Sequence, residues 1–343
     1  MKALLHTATN VLELREVPDP APGPDDVLIR VKACGICGSD THGYAGKTGR
    51  RIPPIIMGHE AAGVVAAAGA NAGRFRPGDR VSFDSTVWCN ACAPCREGFI
   101  NRCVNRRVLG VSVPEYRRDG AFAEYVAVPW WIVAPLPDAL TFAQGALLEP
   151  LSIGLHAASR SERVKGGAAV VVGAGPIGLC VLQAARAAGA AEVVVSDVSG
   201  FRLGVAKRLG ASAAVDSAKE DLAALVRART GGRGADVVFD AVGVAATFRQ
   251  SMSLLRPGGE LVVVGLSEKE ISFNVQDLVS RELTFRGTYA SAGEYRRGAD
   301  LVASGKVDMT PLISEVLPLS EGPRAFERLT AGKEDLIKVV LEP

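Results

Sequence analysis

Aromatic residues make up only 6% of this 343-residue chain, and histidine occurs just four times. With so few imidazoles, each one is a candidate for chemistry. An excess of either charge is also missing: 39 lysines and arginines against 37 acids leave a net charge of +2. That balance gives no broad basic face, so neither nucleic acid nor an anionic membrane is expected as a partner. The opening run MKALLHTATNVLEL is broken by His6, Thr7 and Asn10 and is no signal peptide. Internal repeats and low-complexity tracts are absent. One uncharged window, 166–185, is long enough for a bilayer, but glycines and Pro176 interrupt it. The seven cysteines are odd in number and lack a secretory context, which points to a reducing cytoplasm with thiols on metal.

Four of those cysteines lie together. Cys89, Cys92, Cys95 and Cys103 fall in the run CNACAPCREGFINRC. A tetrahedral zinc ion explains the spacing, because it needs four donors converging at about 2.3 Å. Four thiolates leave no open position, so this is a structural zinc. The competing reading is four buried or disulfide-linked cysteines.

The chain is long enough for two domains. Up to about residue 150, short β-rich runs (DVLIRVKAC, AAGVVAAAGA, DRVSF, FAEYVAVP) alternate with Pro- and Gly-rich turns. From 168 to 288, apolar strands alternate with helices: AAVVV, EVVVSD, ADVVFDAVG, GELVVVG and LTFRGTY are the strands. Fully apolar strands between helices imply a parallel sheet covered on both faces. The expected organisation is an α/β two-domain protein. An irregular β-rich domain spans 1–150 and 289–343, with the zinc lobe at 89–103, and a doubly wound parallel-sheet domain spans 151–288.

The window 166–185 now resolves as strand, glycine turn and helix. Gly173 permits the turn, Gly175 lets the backbone approach a pyrophosphate, and Gly178 lets helix and strand pack closely. Pro176 and Ile177 open the helix whose free N–H groups face the phosphates. Asp197 ends the next strand, where a carboxylate accepts hydrogen bonds from ribose hydroxyls and repels a phosphate. The expected cofactor is therefore NAD rather than NADP, although Arg202 lies close by in the sequence.

Upstream, CGICGSDTHG is followed by GHE, which makes Cys37, His59 and Glu60 candidate donors for a second metal. Alone, Cys34 and Cys37 could be a redox pair, and His59 a core histidine. Together with the zinc lobe and the glycine turn, they form a far more specific pattern. The motifs CGICGSD, GHEAAG, DGAFAEY, LLEPLSIGLHA and GAGPIG, with the four-cysteine lobe, resemble the zinc-dependent medium-chain alcohol and polyol dehydrogenases over nearly the whole chain.

The resemblance implies a GroES-like catalytic domain, a Rossmann domain, NAD and two zinc ions per subunit. It gives Cys37, His59, Glu60 and Glu149 to the catalytic zinc and makes Asp40 the carboxylate that holds His59. Ser39 and His42 become the relay that carries the alcohol proton to solvent. Alcohol dehydrogenases use two cysteines and a histidine at this zinc. Glu149 in place of the second cysteine is the pattern of sorbitol dehydrogenases. Ala290 and Ser291, where those enzymes carry an Arg-Tyr pair, depart from it. The implied reaction is hydride transfer from a secondary alcohol or polyol to NAD in a homodimer or homotetramer. Threonine and sugar phosphates are alternative substrates. A nucleic-acid-binding zinc ribbon, suggested by Arg96, Arg102, Arg106 and Arg107, is the alternative of another class.

Overall fold

A computed structural model describes every residue, Met1–Pro343, and divides into two compact units. The first comprises Met1–Glu149, Ser291–Ser304 and Ile313–Pro343; the second comprises Pro150–Ala290 and Gly305–Leu312. The segment Gly305–Leu312, on the far side of the expected boundary at 289, belongs to the second unit. Buried Val307, Met309 and Leu312 and a two-way amide clamp hold it. Gln183 Nε2 donates to the Asp308 carbonyl at 3.0 Å, and the Asp308 N–H donates to Gln183 Oε1 at 2.7 Å.

The first unit is built on a seven-stranded sheet. Its order is Val133–Pro135, Arg80–Phe83, Glu60–Ala68, Asp26–Gly35, Lys338–Glu342, Ile313–Pro318, with Tyr125–Pro129 also pairing to Asp26–Gly35. Along Asp26–Gly35, Val27, Ile29, Val31 and Ala33 are all buried. They alternate with less buried residues, as a strand covered more on one face requires. That face meets a core containing Phe83, Phe122 and Phe326, the last two in edge contact with centroids 5.6 Å apart. The N-terminal run forms a hairpin, Lys2–Ala8 with Val11–Glu16.

The second unit holds a six-stranded, wholly parallel sheet. Its order is Ala213–Asp216, Glu192–Asp197, Ala168–Val172, Ala235–Asp240, Leu255–Val263, Thr284–Gly287. Val170, Val171, Val194, Val195, Val238 and Phe239 are each at most 3% exposed, as both-face burial demands. No helix is long and apolar enough to cross a membrane. The suspicious window is the strand Ala168–Val172 joined to the helix Pro176–Ala187.

Candidate active site and metal centres

The candidate active site forms at one corner of the seven-stranded sheet. There the strand Asp26–Gly35 ends and Glu60–Ala68 begins, with Gly35 directly opposite Glu60. Beyond Gly35 the chain turns into the helix Gly38–Tyr44, capped by Cys37. Asp40 folds back, and its Oδ2 accepts the Cys37 N–H at 3.2 Å. This local cap fixes Cys37 and Asp40 together. Gly58, at φ +93°, brings in His59; a side chain on Gly58 would press on the Phe122 N–H and on Cys34 Sγ. As a result the donor atoms of Cys37, His59 and Glu60 lie within 4.8 Å of one another.

The support around these donors is charged and buried. Asp40 is 0% exposed; its Oδ1 lies 3.3 Å from His59 Nδ1 and 3.1 Å from Arg51 Nη2. Burial alone would raise the Asp40 pKa, but His59 and Arg51 hold it well below the carboxylate range. Burial likewise opposes charge on His59, and Asp40 and Cys37 outweigh it. With Nδ1 turned to Asp40, the other ring nitrogen of His59 is left for a metal. Glu60 Oε1 pairs with Lys338 Nζ at 2.7 Å, both residues at most 2% exposed. Lys338 Nζ also donates to the Ile36 carbonyl at 3.1 Å. Glu60 Oε2 is buried without a partner in the protein. A thiol, an imidazole and an unpartnered carboxylate oxygen converging in this way fit a divalent cation of zinc type.

Glu149 is not part of that trio. It is buried, and its Oε1 accepts the Ser85 hydroxyl at 2.8 Å. Burial pushes its pKa up to about 7; His59 works against this, and Glu60 and Asp84 add to it. Glu149 therefore stands beside the donor group, within its electrostatic reach. Asp84 extends the wall: its Oδ1 accepts the Thr86 N–H at 2.8 Å and its Oδ2 the Ser291 hydroxyl. Ser39 and His42 occupy one face of the helix Gly38–Tyr44, three residues apart and both exposed. No hydrogen bond joins them; Ser39 Oγ accepts instead from Arg51 Nη2 at 3.4 Å.

Arg51, Lys338, Asp84 and Ser85 escaped the sequence reading. Lys338, a lone cation in the apolar run LIKVVL, carried a signal of a buried partner; Arg51, in the polar stretch GRRIPP, carried none.

The four lobe cysteines also converge, their Sγ atoms all within 4.8 Å. None is in a disulfide. Cys92 and Cys95 Sγ are 3.4 Å apart, far beyond a bond of about 2.05 Å. Backbone N–H groups of Ala91 and Cys92 draw the Cys89 thiol down to about 6, while burial pushes Cys95 up to about 12. Such a cluster cannot ionise fully without a cation among the sulfurs, so the residues fit a closed zinc site.

In the second unit the glycine turn has the three expected features. Gly173 sits at φ +96°. A Cβ on Gly178 would collide with the Gly173 carbonyl, and one on Gly175 would meet open space, as a turn that cradles a ligand requires. Gly175 caps the helix, and Pro176 and Ile177 form its first turn. Asp197 is anchored by backbone: Oδ2 accepts the Ala174 N–H at 2.7 Å and Oδ1 the Ser199 N–H at 2.9 Å. An ionised carboxylate has about four acceptor sites, so two remain for ribose hydroxyls. Arg202 makes no ion pair with Asp197; its backbone N–H donates to Ser199 Oγ at 3.3 Å.

Residues 23–138 match the alcohol dehydrogenase GroES-like domain, and residues 176–304 match the zinc-binding dehydrogenase family. The chain belongs to the zinc-binding alcohol dehydrogenase family. It is 36% identical to sorbitol dehydrogenase of Bacillus subtilis (strain 168), over 100% of this chain and 97% of that protein. A zinc-binding dehydrogenase of Sinorhizobium meliloti 1021, solved bound to NADP, superimposes with a TM-score of 0.92 at 35% identity, covering 100% and 99% of the two chains. Alcohol dehydrogenase from Thermus sp. ATN1 gives a TM-score of 0.93 at 31% identity, again covering 100% and 99%. The chain is thus a zinc-type oxidoreductase that uses a nicotinamide cofactor. Its two-domain α/β architecture is that of these dehydrogenases.

Proposed function

We propose that the protein oxidises a secondary hydroxyl of a small polyol and passes the hydride to NAD. The observation that carries this is the donor set. One thiolate, one imidazole and one carboxylate converge at Cys37, His59 and Glu60, and beside them lies the buried acid Glu149, which the family resemblance matches to the second cysteine of alcohol dehydrogenases. The likeness to a sorbitol dehydrogenase supports the same reading.

Cys37, the free ring nitrogen of His59 and Glu60 Oε2 would hold the catalytic zinc, with Glu149 exchanging for Glu60; Cys89, Cys92, Cys95 and Cys103 would hold a second zinc. Zinc at the first site supplies Lewis acidity, which lowers the pKa of an alcohol hydroxyl. Lys338 keeps one oxygen of Glu60 occupied and leaves the other for the metal. Asp40 fixes the His59 ring. Ser39 would relay the substrate proton, giving up its own hydroxyl proton as it accepts the new one; with no direct bond between the two, water would carry the proton on to His42, exposed on the same helix face, for release to solvent. Gly173, Gly175 and Gly178 with the helix start at Pro176 and Ile177 receive the pyrophosphate. Asp197 accepts the ribose hydroxyls and disfavours the extra phosphate of NADP; Arg202, paired with no carboxylate, tempers that preference.

Seven free cysteines suit a reducing cytoplasm. A homodimer or homotetramer is the proposed assembly. The test is a substrate panel. Polyols, simple secondary alcohols, threonine and sugar phosphates are offered with NAD or NADP, and reduced cofactor is followed by absorbance. Polyols with NAD should give the highest kcat/KM. Faster turnover of simple alcohols, or a preference for NADP, would overturn the corresponding half of the proposal.

A further inference from the structure

The buried wall beside Glu149 continues into a residue the chemistry above does not use. Tyr295 begins the helix Tyr295–Ala303 and is only 5% exposed. Its hydroxyl is buried with no hydrogen-bond partner in the protein. Native proteins rarely leave a buried phenol unsatisfied, because the desolvation cost is not returned; such an atom points to a ligand. The position of Tyr295 follows from a chain of contacts. Glu149 accepts from Ser85; Asp84, the residue before Ser85, accepts from Ser291; Ser291 lies four residues before Tyr295 and is itself buried. These residues all belong to the first unit.

We infer that Tyr295 recognises a further hydroxyl of the substrate, separate from the one oxidised, and so selects polyols over simple alcohols. The assignment rests on the polyol reading above and names the residue that enforces it. A phenol both donates and accepts, which matches an aliphatic hydroxyl, itself both donor and acceptor. The surroundings set the charge of the ligand. Burial first, and then the nearby acids Glu149, Asp84 and Glu60, raise the Tyr295 pKa and keep the hydroxyl a neutral donor. A neutral phenol brings no positive charge to pair with a phosphate or carboxylate, so a neutral polyol is the class that fits it. A site built to hydrogen-bond a hydroxyl discriminates strongly against an analogue lacking it.

The test is Tyr295→Phe, which keeps the ring and removes only the oxygen. Relative to wild type, kcat/KM for a polyol should fall about three- to tenfold, mainly through KM, the size of one neutral hydrogen bond. Turnover of a secondary mono-alcohol of the same carbon number should stay unchanged. Calorimetric titration of the polyol into the zinc-loaded protein with NADH, a combination that cannot react forward, should show the same loss of affinity. Melting temperature should hold or rise, since the hydroxyl has no protein partner to lose. Equal effects on both substrates, no effect on either, or a lower melting temperature would overturn the assignment. If wild type oxidises mono-alcohols as well as polyols, the polyol reading itself fails, and that result is read before any variant is made.

Discussion

Arg51 shows how much of the site depends on residues that hold no ligand themselves. Its guanidinium reaches Asp40, and through Asp40 it orients both His59 and the Cys37 backbone. The close passage needs Gly43, because a Cβ there would collide with the Arg51 side chain. Arg51→Met should therefore weaken catalytic zinc by roughly ten- to a hundredfold, the usual effect of losing a ligand's support. Metal analysis during dialysis against a weak chelator checks this, and the lobe zinc should be unaffected. Asp84 makes a prediction about pH. Burial lifts its pKa from 3.8 to about 6, against the pull of Ser291 and Thr86. The folded state thus holds a proton that the unfolded chain releases near pH 4. Stability from this residue is complete below about pH 4, falls as pH rises to about 6, and is level above, a loss on the order of 2–3 kcal/mol. Asp84→Asn should flatten that slope in melting curves taken across the range. An amide oxygen can still accept from Thr86 and its NH₂ can donate to Ser291. The candidate metal donors were legible in the sequence because their spacing is local: three cysteines at intervals of three, and GHE as a tripeptide. Arg51, Asp84 and Tyr295 were not, because their meaning lies in partners brought near by folding.

Among the elements, the apolar strands of the second unit were readable, since runs such as AAVVV and EVVVSD leave few alternatives once they alternate with helices. The strand Ala213–Asp216 was missed. Its sequence, AAVD, has one β-branched residue, and its place comes from pairing with Glu192–Asp197. The N-terminal hairpin was missed for a related reason: Leu12 is its one buried residue in the second strand, so no clear alternation appears. The zinc lobe is a different case. Between Val87 and Arg107 the regular structure is a four-residue helix, Ala93–Arg96, and a three-residue turn of 3₁₀ helix, Ile100–Arg102. Helices that short do not persist unaided in water, so zinc held by the four thiolates is expected to supply much of their order. Removing the lobe zinc with a strong chelator should expose Arg96 and Arg102 to trypsin while the six-stranded unit resists. Mass spectrometry of the fragments would decide, and unchanged cleavage there would mean the lobe is ordered without metal.

For the whole molecule, the sheet of the second unit ends in an open edge at Thr284–Gly287. Unpaired edges invite a second copy. Leu266, Val275 and Val279 lie close in sequence to this strand and are 73%, 59% and 68% exposed, with Val275 and Val279 one helical turn apart. Light scattering should report a dimer or tetramer, and Val279→Glu should shift it toward monomer; a monomeric wild type at micromolar concentration refutes the assembly. The two-domain plan was legible from the change in texture near Pro150. The return of Gly305–Leu312 to the second unit was not, because it depends on partners that folding brings near: the Gln183 amide and the packing that buries Val307, Met309 and Leu312. The Lys338–Glu60 pair bears on the order of manufacture. Lys338 is 278 residues downstream of the carboxylate it neutralises, on the strand Lys338–Glu342. A ribosome therefore completes the entire nucleotide-binding unit while Glu60 still lacks its counter-charge. A nascent chain halted before Lys338 should leave the GHE corner open to protease and unable to keep zinc, so the enzyme cannot be switched on until Lys338 has been made.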